Sequence, residues 1–143
     1  MQRVAINGFG RIGRNVLRAW FENPQKFHFD IVAINDVADV ETLIHLFKYD
    51  TTHGRFNGSV ELSYVEGQAY LHICANSSEL NVQVHCESQP ENLPWKELEV
   101  DVILECTGLF RSREAATRHI TAGAKRVIIG AAPFDTVDAA IVY

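Results

Sequence analysis

Three glycines in the spacing G-x-G-x-x-G follow a short apolar run at the start of the chain. The run covers residues 4–6, and the glycines are Gly8, Gly10 and Gly13. In a strand-to-helix turn, the first glycine permits the tight turn and the second lets the main chain approach a phosphate. The third lets the helix pack close to the strand. Because the helix then directs free N–H groups at the anion, we interpret the motif as a dinucleotide pyrophosphate site.

The residues after the motif support this interpretation. Apolar side chains recur at helical spacing from Ile12 to Trp20, and a second β-branched run at residues 31–34 ends at Asn35 and Asp36. Asp36 lies 23 positions after Gly13, close to the roughly 20 expected for the acid that binds an adenosine ribose. The alternative is that the glycines only shape a turn and that Asp36 is an ordinary loop carboxylate.

Asp36 also predicts which cofactor is bound. A carboxylate beside the ribose 2′ position accepts a hydrogen bond from a hydroxyl and repels a 2′-phosphate. We therefore expect NAD rather than NADP.

Composition excludes several other classes of protein. The 143 residues carry a net charge of −5, which argues against a nucleic-acid surface, and no apolar run is long enough to span a membrane. The odd set of Cys74, Cys86 and Cys106 lacks a C-x-x-C motif, so we expect reduced core thiols in a cytoplasmic chain. No pair of histidines has the spacing of metal ligands, so no metal site is expected.

The order of predicted elements indicates the fold. Helices and apolar strands alternate, except that a period of two over residues 59–87 predicts an antiparallel insert or edge. The predicted helices cover residues 11–23, 38–50 and 113–122, and the predicted parallel-type strands cover 3–7, 30–35, 100–106, 126–129 and 139–143. We expect an α/β fold, a Rossmann-type doubly wound, mostly parallel sheet with a small antiparallel insert. The motif residues then fall at strand ends, where such sheets bind ligands.

Five blocks of the sequence resemble the phosphorylating glyceraldehyde-3-phosphate dehydrogenases, in the order in which that family has them. They are NGFGRIGR at residues 7–14, AIND at 33–36, KYDTTHGRF at 48–56, ECTGLF at 105–110 and AGAKRVII at 122–129. The resemblance implies an oxidoreductase of glycolysis and carbohydrate metabolism, a cytoplasmic homotetramer. Such an enzyme oxidises a phosphorylated aldehyde through a cysteine thioester and transfers a hydride to NAD.

The resemblance also implies that residues 1–143 form the NAD-binding domain. The nucleophilic cysteine and the histidine base belong to a catalytic domain absent from this chain. We assign no catalytic residue here and expect the chain alone to be inactive.

The resemblance extends to individual cofactor-binding positions. Residues 9–12 would line the pyrophosphate, Asp36 and Asn35 the ribose, and residues 107, 108 and 110 the adenine side of the groove. Ser88 and Gly130 replace an arginine and a serine or threonine that the family often has. The full set is Gly8, Phe9, Gly10, Arg11, Ile12, Gly13, Asn35, Asp36, Ser88, Thr107, Gly108, Phe110 and Gly130.

Two other functions remain open at this stage. Residues 93–98 (LPWKEL), Cys106 and the ending at 140–143 favour an erythrose-4-phosphate dehydrogenase, a sister group with the same fold and cofactor. Asp36 and residues 108–110 favour glyceraldehyde 3-phosphate. The chain could also be a free-standing NAD-binding module without chemistry of its own.

Overall fold

A computed structural model of the protein describes residues 1–50, 54–109 and 112–130. Twelve strands and helices follow one another along this part of the chain. They are β1 (Gln2–Asn7), α1 (Arg11–Glu22), β2 (Phe29–Asn35), α2 (Val40–Lys48), β3 (Tyr49–Asp50), β4 (Gly54–Arg55), β5 (Ser59–Val65), β6 (Gln68–Ala75), β7 (Ser78–His85), β8 (Val102–Glu105), α3 (Arg113–Thr121) and β9 (Arg126–Ile129). Single-turn 3-10 helices lie at Pro24–Lys26 and Pro90–Asn92.

Seven strands form one mixed sheet in the order β5-β6-β7-β2-β1-β8-β9. The five strands from β7 to β9 in this order are parallel, with β1 at their centre. The chain runs outward from β1 to β2 and β7, then returns to the other side of β1 as β8. This reversal is typical of a doubly wound sheet, and it confirms the predicted fold class. The small β3–β4 ribbon is a separate sheet.

The antiparallel segment predicted at residues 59–87 forms one edge of the main sheet. β5 and β6 do extend the sheet as antiparallel strands, but β7 pairs antiparallel with β6 and parallel with β2. All three strands therefore belong to the main sheet, as the edge alternative predicted, and β7 joins the antiparallel strands to the parallel ones. Two tight turns join these strands: Glu66-Gly67 and Asn76-Ser77 all have positive φ angles, as a type I′ hairpin turn requires.

Other element boundaries differ slightly from the prediction. The helix predicted at 38–50 begins only at Val40, because the Asp39 carboxylate accepts the Thr42 N–H and caps it. The strand predicted at 100–106 shortens to Val102–Glu105, whereas β9 matches its predicted residues. The strand predicted at 139–143 lies outside the described residues. None of the described helices is long and apolar enough to cross a membrane.

Two apolar clusters cover the two faces of the sheet. Successive residues of a strand point to opposite faces, so Ile6 joins the larger cluster with α1 and α2, while Ala5 joins the smaller one around Trp95. Trp20 and Phe21 are buried in the larger cluster, and Phe27 and Phe29 pack against it. The helices thereby hold the carboxyl ends of the strands in fixed relative positions.

Candidate dinucleotide-binding site

The predicted site residues follow the carboxyl ends of neighbouring parallel strands. Asn7 at the end of β1 is in register with Asn35 of β2 on one side and Glu105 of β8 on the other. His85 and Ile129 end β7 and β9 in the same alignment. The loops after these strands therefore share one edge of the sheet.

Gly8 lies where the loops after β1 and β8 meet. Its φ is +93°, and a Cβ placed on it would come within 2.7 Å of the Thr107 main-chain nitrogen. A larger residue is excluded by both the backbone conformation and this close approach. This contact falls between β1 and β8, where the strand order reverses and a doubly wound sheet has its binding crevice.

The other two glycines of the motif differ in their surroundings. A Cβ on Gly13 would lie 2.4 Å from the Gly8 carbonyl oxygen and 3.0 Å from Ile6 Cγ2, so Gly13 lets α1 pack against β1. A Cβ on Gly10 would meet no protein atom within 4 Å, and its φ of −79° suits any residue. Nothing in the described part of the fold requires glycine at position 10.

The amino end of α1 differs from those of the other described helices. Asp39 caps α2 and Ser112 caps α3, each accepting a main-chain N–H of the first turn. α1 follows Gly10 as its N-cap residue, without a side-chain cap and without an acidic residue in its first turn. Among the described residues no side chain caps the N–H groups of this turn, which lie at the positive end of the helix dipole, as at an anion site.

Asp36 ties the glycine loop to the end of β2. Its Oδ2 accepts the Phe9 N–H at 2.7 Å, and its Oδ1 accepts the Ala38 N–H at 2.9 Å. Because each carboxylate oxygen can accept a second hydrogen bond, the half-buried group retains the capacity to bind a hydroxyl. The main-chain N–H of Gly8 also donates to the main-chain carbonyl oxygen of Asn35 at 2.8 Å.

The side chains beside the loop divide into buried and exposed ones. Phe9 is buried and packs against Phe47, with ring centroids 5.9 Å apart. Its side chain therefore lies in the core, and only its main chain contributes to the surface of the glycine loop. Arg14 donates to the Phe9 carbonyl at 3.1 Å. Arg11 and Ile12 are exposed at the start of the helix, which leaves both side chains accessible to a ligand.

The remaining predicted residues lie on neighbouring loops of the same edge. Thr107 donates to Glu105 and accepts the Leu109 N–H, which shapes the turn after β8. Gly108 and Ser88 are exposed, and the Gly130 N–H donates to the Glu105 carbonyl at 2.7 Å. Phe110 lies outside the described residues.

A buried polar network beneath this edge was not predicted from the sequence. Glu105 accepts hydrogen bonds from Asn7 at 2.7 Å and from His119, whose Nε2 lies 3.3 Å from Oε1. Trp95 Nε1 donates to His119 Nδ1 at 3.0 Å, which assigns the ring proton to Nε2. The Asn7 amide oxygen in turn accepts from Asn35 at 2.7 Å.

This network fixes the ends of three strands with polar groups that water does not reach. Asn7, Asn35 and Glu105 end β1, β2 and β8, and each is nearly fully buried. A satisfied buried network is rigid because each lost partner leaves an unpaired polar atom. Both N–H donors of the Asn35 amide are used, and its oxygen accepts the Glu87 N–H, since the amide also exchanges hydrogen bonds with the Glu87 main chain. The one sequence signal for this network is that each of these three apolar strands ends in a polar residue.

The cysteines differ from the prediction that all three are core thiols. Cys106 fits it: burial, together with the charge of Glu105, raises the pKa of its thiol to about 11. Cys86 is instead exposed and Cys74 half-buried on a polar face, because strand alternation directs Ile73 into the core and Cys74 away from it. A raised pKa of this kind keeps Cys106 a thiol at neutral pH, so it is not an activated nucleophile.

The fold, the uncapped α1 and the acid at the end of β2 define a dinucleotide-binding domain of the doubly wound class. Residues 2–113 match the family described as "Glyceraldehyde 3-phosphate dehydrogenase, NAD binding domain". The chain belongs to this family, and NAD is the cofactor of such a domain.

Curated relatives give the same result. The chain is 50% identical over 141 residues to the chromosomal glyceraldehyde-3-phosphate dehydrogenase of Cupriavidus necator, covering 99% of the chain and 40% of the relative. It is 51% identical over 131 residues to the glyceraldehyde-3-phosphate dehydrogenase of Clostridium pasteurianum, covering 92% of the chain and 36% of the relative. The chain therefore spans about two fifths of the length of these relatives.

Proposed function

We propose that the chain binds NAD with the pyrophosphate at the amino end of α1 and the adenosine ribose at Asp36. The observation that carries this proposal is the uncapped first turn of α1, where a Cβ on Gly10 would meet none of the described residues beyond its own helix and chain neighbours. An anion there would accept the free N–H groups, and the exposed Arg11 would add positive charge.

The other residues of the edge have distinct proposed roles. Ile12 would cover part of the ligand with an apolar side chain, and Gly8 and Gly13 hold the loop in place. Thr107, Gly108 and Phe110 would border the adenine side, Gly130 offers only main-chain groups, and Ser88 replaces a family arginine. Asn35 acts by holding the strand ends, because its amide is already engaged.

We further propose that the chain serves as the cofactor domain of an enzyme that oxidises glyceraldehyde 3-phosphate. NAD supplies the hydride acceptor for such a reaction. The nucleophilic cysteine and histidine base would lie on a further segment, which fits the two-fifths coverage of the relatives. We place residues 1–143 in the NAD-binding domain of a cytoplasmic homotetramer.

The names of the relatives favour glyceraldehyde 3-phosphate over erythrose 4-phosphate as the substrate. A free-standing NAD-binding module is the second candidate. The two differ in one measurable property: only the first recovers aldehyde oxidation when it is joined to a catalytic segment.

Calorimetric titration with NAD and with NADP tests the binding proposal. Asp36→Asn is the informative variant, because an amide oxygen still accepts a hydrogen bond but carries no charge. Asp39→Asn, three positions later at the cap of α2, is the matched control. We expect the wild type and the control to prefer NAD.

Asp36→Asn should weaken NAD about 5- to 10-fold, because the neutral hydrogen bond that remains is worth about 1–1.5 kcal/mol less than a charge-assisted one. The difference in affinity between NAD and NADP should decrease as well. Equal binding of the two cofactors by the wild type, or unchanged NAD affinity in Asp36→Asn, would refute the assignment of Asp36.

A further inference from the structure

The polar face of the antiparallel strands β5, β6 and β7 brings three potential metal ligands together. Leu71 and Ile73 of β6 point into the core, so alternation places His72 and Cys74 on the opposite face. Glu79 of β7 is directly opposite Cys74 in the strand register. A histidine, a cysteine and a carboxylate thus share one accessible surface, remote in sequence from the glycine loop.

Their ligand atoms converge on one another. His72 Nε2 lies 3.0 Å from Glu79 Oε2, Cys74 Sγ lies 3.6 Å from His72 Nε2, and Sγ and Oε2 are 4.0 Å apart. Zinc at about 2.3 Å from sulfur, about 2.0 Å from nitrogen and about 2.1 Å from oxygen holds tetrahedral ligands roughly 3.4–3.6 Å apart. The three separations fall within about 0.4 Å of that range, so small rotations of the side chains would suffice.

We propose that His72, Cys74 and Glu79 form a binding site for Zn²⁺, with a water molecule in the fourth position. The three side chains are within hydrogen-bonding distance of one another, and zinc ligation would replace those hydrogen bonds. A thiolate and an imidazole select zinc over magnesium or calcium, which prefer oxygen ligands. Cys74 releases its proton to solvent on binding, and the thiolate and carboxylate then neutralise the two charges of the ion.

The charge and position of the neighbouring groups suit a cation. Glu61 of β5 lies directly opposite His72 in the register and adds negative charge to the same face. The ligands come from β6 and β7, on either side of the Asn76-Ser77 turn. Bound Zn²⁺ would therefore hold this hairpin closed. Among the residues that the structure describes, this is the one group of three with ligand atoms so close together.

Cobalt titration of the protein under reducing conditions tests the site, because Co²⁺ reports thiolate ligation through a charge-transfer absorption band. Cys74→Ser, His72→Gln and Glu79→Gln each remove one ligand. Cys86→Ser is the matched control, since Cys86 is an exposed thiol whose Sγ lies 3.4 Å from a main-chain oxygen, that of Val37. Far-UV circular dichroism checks that each variant is folded.

We expect the wild type and Cys86→Ser to bind one equivalent of Co²⁺ with the band, and Zn²⁺ to displace it. Cys74→Ser should lose the band, and His72→Gln and Glu79→Gln should each weaken Zn²⁺ at least about tenfold. Zn²⁺ should also raise the melting temperature of the wild type but not that of Cys74→Ser. A wild type without the band, or a band that Cys74→Ser keeps or Cys86→Ser loses, would overturn the proposal.

Discussion

Gly13 and Gly10 lie three positions apart at the start of α1, but an added methyl group would have different surroundings at each. On Gly13, the new carbon would lie 2.4 Å from the Gly8 carbonyl oxygen, about 1.0 Å inside the 3.4 Å at which ordinary contact begins. The Gly8 main chain is itself held by its hydrogen bond to Asn35. Relief therefore requires α1 to move away from β1.

The expected cost of Gly13→Ala follows from two opposing terms. Overpacking a close contact costs ~1–3 kcal/mol, and a rigid backbone neighbour places this site at the upper end. Alanine recovers at most ~1 kcal/mol through its better helix propensity. We expect Gly13→Ala to lower the free energy of unfolding by ~2 kcal/mol, or the melting temperature by about 6 °C for a domain of this size.

Gly10→Ala is the matched control. Because the new carbon would meet no described residue beyond its own helix and chain neighbours within 4 Å and the φ is ordinary, Gly10→Ala should change the free energy of unfolding by less than ~0.5 kcal/mol. It should instead weaken NAD at least about tenfold, because the methyl group enters the space proposed for the pyrophosphate.

Thermal and urea denaturation with an unchanged m-value measure the stability of both variants, and calorimetry measures NAD binding by Gly10→Ala. The reasoning is refuted if Gly13→Ala melts within about 1 °C of the wild type. It is equally refuted if Gly10→Ala loses as much stability as Gly13→Ala.

Three further predictions concern the interior. Trp95→Phe removes the donor to His119 Nδ1 and should cost ~2 kcal/mol in urea denaturation; a loss below ~0.5 kcal/mol would mean that the indole bond contributes little. At pH 8, iodoacetamide should modify exposed Cys86 but not Cys106, whose pKa of about 11 keeps it a thiol. The rate at which iodoacetamide modifies Cys106 should rise about tenfold per pH unit below pH 11, and peptide mass spectrometry can follow it. Equal modification rates of Cys86 and Cys106 at pH 8 would contradict the burial of Cys106. Arg18→Met keeps the apolar stem but loses the 2.6 Å bond to the carboxyl end of α2. It should destabilise the fold by ~2 kcal/mol in thermal unfolding; an unchanged melting temperature would exclude a stabilising role for that bond.

Local patterns were sufficient to predict the glycine loop and the alternating elements. The turn, the helix that follows it and Asp36 lie within one βαβ unit, where sequence spacing maps directly onto geometry. Gly123 similarly ends α3 with a φ of +116°, as expected of a glycine after a helix. The parallel pairing of β7 with β2 could not be predicted in this way, because tertiary packing determines which strands pair.

The buried network and the polar face were missed for a different reason. Asn7 and His119 are 112 positions apart in the sequence, so no local spacing relates them. His72, Cys74 and Glu79 meet across a hairpin turn, and their spacing matches no common metal motif. The orientation of Cys74 was predictable, since the apolar residues at 71, 73 and 75 fix which face of β6 is buried.

Asp36 links cofactor preference to the integrity of the glycine loop. The same carboxylate that would discriminate against a 2′-phosphate also accepts the Phe9 and Ala38 N–H groups. A residue without an acceptor, such as alanine, would remove the charge but leave both donors unpaired. Evolution or engineering toward NADP therefore faces an ordered path. Asparagine comes first, since it removes the charge and keeps one acceptor oxygen for the Phe9 N–H, and a residue without an acceptor is tolerated only after a new acceptor for Phe9 has arisen.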